Sequence, residues 1–405
     1  MSSENAIFLG NHENGKPLYA EGYQPILLLA PHGSGKGVCF VLPTLLTYSE
    51  SCVVHDIKLE NYQLTSGYRA SIGHKIFVFN PLSGKDKTHR YNPLDYINSD
   101  SREIINDIQK IADLLIKDNA SSKSLFTGLV LYLCNDTTKT RSLGEIARML
   151  QRNLAQELSD GIDKAKVTIH EYGLEIISSF LSKTTKEQNA IIKELSHYLY
   201  PWTNPFIDYA TSKSDFDIAD LKVSKMTLYV GVNPADIKRL QPVLQLFYNH
   251  MADRLINTAQ NLGHTEKNVG VCLLMDEFYS VGKLEMFTSC LPYFRGYKIK
   301  LFLISSNIGK IEEVYGENET ENIISDCPCK IAFGANNYKT ANLISEICQD
   351  REKNTELLSW EQVMSLPVDS QIILMDKEQP VILKKVFYYD DEEIKKKIIA
   401  PAVLW

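Results

Sequence analysis

"LAPHGSGKGVCFVLPTLL", Leu29 to Leu46, sets a glycine-rich turn between two apolar runs. The run before it, "PILLLA", is short and continuous, as in a strand buried on both faces. The run after it begins at Lys36 and reads as a helix. Strand, glycine turn and helix in that order are the setting of a phosphate-binding loop. Gly33 and Gly35 allow backbone N–H groups to converge on an anion, and the positive end of the following helix adds to the field. Pro31, His32, Gly33, Ser34, Gly35, Lys36, Gly37 and Val38 are the candidate phosphate-contacting residues, with Lys36 reaching the outer phosphates. Two positions depart from the usual G-x-x-x-x-G-K-[ST]. Ala30 stands for the first glycine, and Gly37 offers no hydroxyl to Mg²⁺. An ordinary glycine turn with a chance lysine is the competing reading.

A second stretch, "VCLLMDEF" (271–278), weighs against chance. Buried strand residues deliver two adjacent carboxylates to the strand end, a costly arrangement unless something uses them. In phosphate-loop ATPases the first acid serves the Mg²⁺ shell and the second polarises the attacking water. Asp276 and Glu277 take those places. "VVHDIKLEN" (53–61) ends a third strand in charges, and Asp56 is a candidate for the same edge, since ligands of open α/β sheets bind beyond the carboxyl ends of strands. With Gly37 at the hydroxyl position, Ser34 or water would complete the Mg²⁺ shell, which keeps several waters readily.

The wider chain supports a two-part architecture. Residues 24–97 alternate apolar runs with turns. Residues 98–205 carry almost no strand pattern. In "REIINDIQKIADLLI", Ile104, Ile105, Ile108, Ile111, Ala112 and Leu115 share one helical face, and "SLFTGLVLYL" and "AIIKELSHYL" keep the same period. Strands return at 226–232, 270–278, 300–306 and 330–335, separated by helical stretches at 235–255, 283–294 and 338–348. Alternation of this kind predicts an α/β fold with a mostly parallel sheet. The expected domains are therefore 1–97 with 206–405, and an inserted all-α domain at 98–205. The segment from Val381 to the end reads as a last strand followed by a charged, solvated stretch.

Bulk composition agrees with a folded, water-soluble chain: 405 residues, 44% hydrophobic and 23% charged. The net charge of −7 excludes bulk attraction to DNA or anionic lipid, so any nucleic acid would meet a local basic lining. The eight cysteines are scattered and supply no second pair to complete a zinc set with "CPC" (327–329). No apolar run approaches the about 18–20 residues needed to cross a bilayer.

Taken together, the quoted stretches, with "HRYNPLDYI", "SDFDIADL", "TLYVGVNPADIKRLQPVLQLFYN", "LLMDEFYSVGKLE", "EEVYGENETENIISDC" and "KIAFGANNYKTANLISEI", resemble the cytoplasmic ATPase part of the type IV secretion coupling proteins, the TraG/TraD family. They run in family order over nearly the whole chain. "AP-x-GSGKG" resembles that family's regular spelling of its phosphate loop. The resemblance implies a RecA-like nucleotide-binding domain, ATP and Mg²⁺ as cofactors, and catalysis by Lys36 and Glu277. It implies that Asp276 holds Mg²⁺ through water. Arg295, in "FRGYK", is implied to act in a neighbouring subunit's site. The family usually has glutamine at a γ-phosphate-sensing position that here is Ser306.

It also implies a hexamer at the cytoplasmic face of the bacterial inner membrane, anchored by N-terminal helices that this chain lacks. A soluble chain without them is expected to be mostly monomeric. The expected partners are the type IV secretion apparatus and, through the all-α domain, relaxase-bound single-stranded DNA or effector proteins and their adaptors. Gly37 and Ser306 keep open a rival reading, a non-hydrolysing docking receptor with a structural nucleotide site.

Overall fold

The computed structural model describes residues 5–12, 15–84, 87–98, 102–163, 170–263, 265, 267–350, 355–376 and 378–404. The chain forms two compact units, one of residues 1–78, 218–238 and 251–405, the other of residues 79–217 and 239–250.

The first unit holds the sheet. Its strands are β1 (Ile7–Asn11), β2 (Pro17–Ala20), β3 (Ile26–Leu29), β4 (Ser51–Ile57), β5 (Lys75–Phe79), β6 (Met226–Val232), β7 (Val271–Met275), β8 (Ile299–Ser305) and β9 (Cys329–Ala332). A small hairpin, β10 (Gln349–Asp350) with β11 (Thr355–Glu356), stands apart, and β12 (Ser370–Met375) and β13 (Val381–Lys384) return to the main sheet. The order across that sheet is β2-β1-β13-β12-β9-β3-β8-β7-β4-β6-β5.

Two halves of the sheet follow different rules. From β9 to β6 the strands pair in parallel. β3, β4, β6, β7 and β8 are almost wholly buried, which is why their sequences are continuous apolar runs without alternation. From β9 outward, β12, β13, β1 and β2 pair antiparallel. This wing was not legible in the sequence beyond its Val381 strand: β1 and β2 are short, with β2 at the edge, and "SQIILM" carries only four buried residues in a row.

Between strands run α1 (Leu42–Thr47) and α2 (Glu60–Ser71). Arg69 on α2 is fully buried. Its guanidinium donates to the carbonyls of Leu45 (2.9 Å), Tyr48 (2.7 Å) and Glu50 (2.6 Å) and to Thr227 Oγ1 (2.6 Å). It thereby ties the end of α1 to the entrance of β4 and to β6. The C-terminal stretch departs from the expected solvated tail. Lys397 donates to Leu46 O (3.0 Å), Tyr62 Oη donates to Ala402 O (2.6 Å), and Ala402 N donates to Ser66 Oγ (3.1 Å). Ile394 is buried and Leu404 packs on the core, so a few apolar anchors, backbone groups and the Lys397 ammonium hold a strap rich in charged side chains.

The second unit is helical: α3 (Ile104–Leu115), α4 (Ala120–Asn135), α5 (Leu143–Leu150), α6 (Leu154–Asp163), α7 (Glu171–Leu181), α8 (Thr185–Leu199) and α9 (Pro205–Ala210). Ile104, Ile108, Ile111, Ala112 and Leu115 of α3 are buried, as their spacing requires. α4 is the centre, buried from Leu125 to Leu133 and packed by α3, α7 and α8. Side-chain caps start several helices: Asn119 for α4, Ser142 for α5, and a Thr184–Glu187 capping box for α8. Residues outside the helical run close the unit. Arg90 grips Asp215 in a bidentate pair (2.9 and 3.0 Å), and Phe79 stacks on Phe247 at 4.9 Å. Among the described residues no helix is long and apolar enough to cross a membrane.

Replacing Arg69 by alanine strands three buried carbonyls. Arg69→Ala should destabilise the chain by about 3–5 kcal/mol, read as a lower urea midpoint by circular dichroism. An unchanged midpoint would show that water replaces the guanidinium at no cost.

Candidate active site

Strand register decides which side chains meet. β3 runs parallel between β9 and β8, with Leu29 opposite both Ser305 and Ala332. The next amide, Ala30 N, donates to Ser305 O at 2.9 Å, and Phe333 N donates to Leu29 O at 3.0 Å. The chain therefore leaves the sheet at the carboxyl edge between two neighbouring strands. There it turns through Pro31–Gly35, with Ser34 N donating to Pro31 O at 3.1 Å. Gly33 (φ +78°) and Gly35 (φ +90°) hold left-handed conformations that a side chain would strain. A helical turn follows at Gly37–Val41 and continues into α1.

β7 lies one strand beyond β8. Met275 is in register with His55 and with Leu303, so Asp276 and Glu277 emerge at the same edge as the loop. Glu277 takes a left-handed conformation (φ 52°), which costs a non-glycine residue on the order of 1 kcal/mol. That turn points its carboxylate back to the loop. Lys36 Nζ forms an ion pair and hydrogen bond with Glu277 Oε1, and lies 3.3 Å from Asp276 Oδ1. His32 Nδ1 is 3.5 Å from the same Glu277 oxygen. Burial raises the Asp276 carboxyl pKa and the neighbouring Glu277 adds to the rise, while Lys36 opposes it.

At this edge Ser34 Oγ, Asp276 Oδ1 and Glu277 Oε2 are buried and make no hydrogen bond, the Asp276 oxygen having only the ion pair with Lys36 at 3.3 Å. Orphaned buried acceptors of this kind are costly. Here they belong to the loop and to both acids, so this donor and acceptor set fits a phosphate group with a divalent cation. Gly37 adds no oxygen, and a side chain built there meets nothing within 4 Å.

The remaining sequence candidates fall into place differently. Asp56 is buried, and its carboxylate caps α2: Oδ1 accepts from Asn61 N (3.1 Å) and Nδ2 (3.0 Å), and Oδ2 accepts from Tyr62 N (2.7 Å). Burial pushes its pKa up to about 7 against these bonds, and Asp276 adds to the rise. Its lone pairs are thus largely spent on the helix. Ser306 follows β8, buried, with Oγ 3.4 Å from Tyr279 Oη and 3.5 Å from Asn307 Nδ2. Asn307 accepts from Lys310 N at 3.1 Å and caps the helix Ile308–Tyr315. Arg295 is exposed in the turn before β8. The seven residues of β8, about 20 Å of strand, separate it from the loop edge, so it does not join the site of its own chain.

Sequence reasoning missed Tyr279 and Lys385. The Tyr279 hydroxyl pKa is raised, first by burial and then by Glu277. Its one sequence signal is its place two residues after the second acid. Lys385 donates to Ser34 O at 3.0 Å from a position far along the chain, which no local pattern could announce.

The fold and these residues define a RecA-like α/β protein carrying a phosphate loop at the carboxyl edge of its parallel sheet. The chain belongs to the type IV secretory system conjugative DNA transfer family, whose model matches residues 3–351 and 348–404. It is 27% identical over 398 residues to Protein VirD4 of Rhizobium radiobacter, covering 90% of this chain and 57% of the relative. It is 28% identical over 355 residues to a conjugal transfer protein TraG of Escherichia coli, covering 80% of this chain and 55% of that protein. The chain thus spans less than three-fifths of the length of these relatives.

Among solved structures, the bacterial conjugative coupling protein TrwBdeltaN70 in its unbound monoclinic form superposes with a TM-score of 0.64 at 14% identity, covering 93% of this chain and 89% of that one. TrwB in complex with ADP and Mg²⁺ matches equally well, at the same TM-score and coverage. VirB4 of Thermoanaerobacter pseudethanolicus matches at TM-score 0.53 and 13% identity, over 98% and 99% of the two chains.

The open space at Gly37 has a direct consequence. Gly37→Ser should fold with a urea midpoint at or above that of the wild type, because the site is helical and unobstructed. A clearly lower midpoint would mean that the loop needs a bare backbone at this position.

Proposed function

We propose that the chain is the ATP-hydrolysing part of a coupling protein that selects substrates and drives them into a type IV secretion channel. The observation that carries this reading is the meeting of Lys36 with Asp276 and Glu277 beside the orphaned Ser34 Oγ. Loop amides from Gly33 to Lys36 would hold the outer phosphates of ATP. Lys36 then exchanges Glu277 for phosphate oxygen. Glu277, freed, orients a water molecule for in-line attack and accepts its proton. Asp276, whose Oδ1 has only the ion pair with Lys36, would hold a hydrated Mg²⁺, which would neutralise phosphate charge. Ser306 and Tyr279 sit on the adjoining strand ends, where a change at the γ-phosphate is felt by the helix that Asn307 caps.

Arg295 acts on a neighbouring copy. Its place at the far end of β8 supports this, since only a second subunit can bring it to a phosphate loop. A ring of such subunits, six in the family resemblance, makes hydrolysis depend on assembly. The helical unit is the surface proposed for cargo: relaxase-bound DNA, effector proteins or their adaptors. An N-terminal membrane segment, as the family resemblance implies, would hold the ring at the inner membrane. The proteins it resembles carry conjugation names, and TrwB is crystallised with ADP and Mg²⁺, which supports the nucleotide assignment.

Lys36→Ala should abolish ATP binding measured by calorimetry while the circular dichroism spectrum is kept. Wild-type affinity in that variant would remove the assignment. Glu277→Gln should bind ATP at least as tightly as the wild type, because the carboxylate competing for Lys36 is gone. It should hydrolyse on the order of 10²–10⁴-fold more slowly, and undiminished turnover would place the base elsewhere. Mixing Arg295→Ala with Glu277→Gln should restore activity above either variant alone, because mixed rings contain some sites with both groups. Absence of complementation in rings shown to be mixed would end the trans role of Arg295.

A further inference from the structure

The acids lie on one flank of β3, beyond β8, while β9, β12 and β13 lie on the other. A triphosphate whose terminal group meets Lys36, Asp276 and Glu277 therefore leads its nucleoside away from them, past Val38. The segment that follows β13 is fastened there. Lys385 is buried, donates to Ser34 O (3.0 Å) and Val368 O (2.8 Å), and sits over the Phe333 ring at 4.1 Å. Tyr388 N donates to Val38 O at 3.0 Å. The Phe387 ring packs on the loop so closely that a Cβ at Gly35 would stand 3.3 Å from its Cε1. Phe387 and Tyr389 stack at 5.4 Å and 19°, around a turn closed by Asp390 N donating to Phe387 O at 3.0 Å.

Tyr389 is 46% exposed, so one ring of a stacked pair faces water beside a phosphate loop. Its position is held by three separate ties to Ser34, Gly35 and Val38, which is the rigidity a binding platform needs. A flat π-system of matching size gains stacking area on such a ring, whatever its edge pattern.

We propose that Phe387 and Tyr389 form the platform on which the purine base of the bound nucleotide stacks. This rests on the nucleotide-site reading above and names the residues that tell a nucleotide from bare phosphate. Stacking reads the face of a base and not its hydrogen-bonding edge, so ATP and GTP are held alike. Lys385 is a positioning residue: it fixes the platform to the loop without touching the base.

The test compares ATP, GTP and inorganic triphosphate by calorimetry on the wild-type chain, Tyr389→Ala and Tyr389→Phe. Tyr389→Ala should lose roughly ten- to hundredfold in affinity for ATP and GTP alike. Its affinity for triphosphate should stay unchanged, which also shows that the loop is folded. Tyr389→Phe should restore nucleotide affinity. Unchanged ATP affinity in Tyr389→Ala overturns the platform, as does a parallel loss for ATP and triphosphate. A wild-type chain that binds triphosphate as tightly as ATP overturns the platform alone. A wild-type chain that binds neither overturns the phosphate-site reading and the platform with it.

Discussion

The contact on which the rest depends is the ion pair of Lys36 with Glu277. It joins two segments, one at the end of β3 and one at the end of β7, that the intervening β8 holds apart. A buried carboxylate is tolerable only with a partner, and a buried lysine likewise. Each is the other's justification, and the sheet must be parallel here for both to reach one edge. Glu277 adopts a left-handed backbone to make the contact. Ser34 Oγ and Glu277 Oε2 beside it make no hydrogen bond, and Asp276 Oδ1 has only its ion pair with Lys36, so a phosphate and a cation would satisfy them. A phosphate-loop lysine that already has an acidic partner must exchange it, so nucleotide affinity is a difference between two interactions of one ammonium group.

The same geometry bears on the proposal that Arg295 serves a neighbouring subunit. Its phosphate loop lies at the carboxyl edge of the sheet, and Arg295 lies in the turn that opens β8 at the other edge. Subunits arranged head to tail would set the second edge of one against the first edge of the next. An arginine supplied in this way contributes charge only after assembly, which can govern rate by several powers of ten.

Legibility in the sequence follows burial. β6 was readable to the residue at Met226–Val232 because a strand buried on both faces has no alternative pattern to confuse it. The meeting of the glycine loop with the two acids was readable because both sit at the ends of continuous apolar strands. Residues whose roles are set by distant partners were not. Asp56 looked like a metal-shell candidate, yet its oxygens cap α2, and only the positions of the Asn61 and Tyr62 amides reveal it. The C-terminal strap looked solvated because its apolar anchors, Ile394 and Leu404, stand far apart in a charge-rich stretch and its other contacts are backbone groups and the Lys397 ammonium. Tyr389 and Phe387 read as ordinary aromatic residues in "VFYYDD", since nothing local says that Gly35 and Val38 lie beneath them.

In the proposed mechanism Lys36 changes partners, so the most direct measurement is a crystal structure of the chain with a non-hydrolysable ATP analogue and Mg²⁺. The predicted result is Lys36 Nζ within hydrogen-bonding distance of a phosphate oxygen, with the Glu277 carboxylate parted from Lys36 and turned to a water beside the terminal phosphate. A nucleotide bound elsewhere, with Lys36 still paired to Glu277, would contradict it.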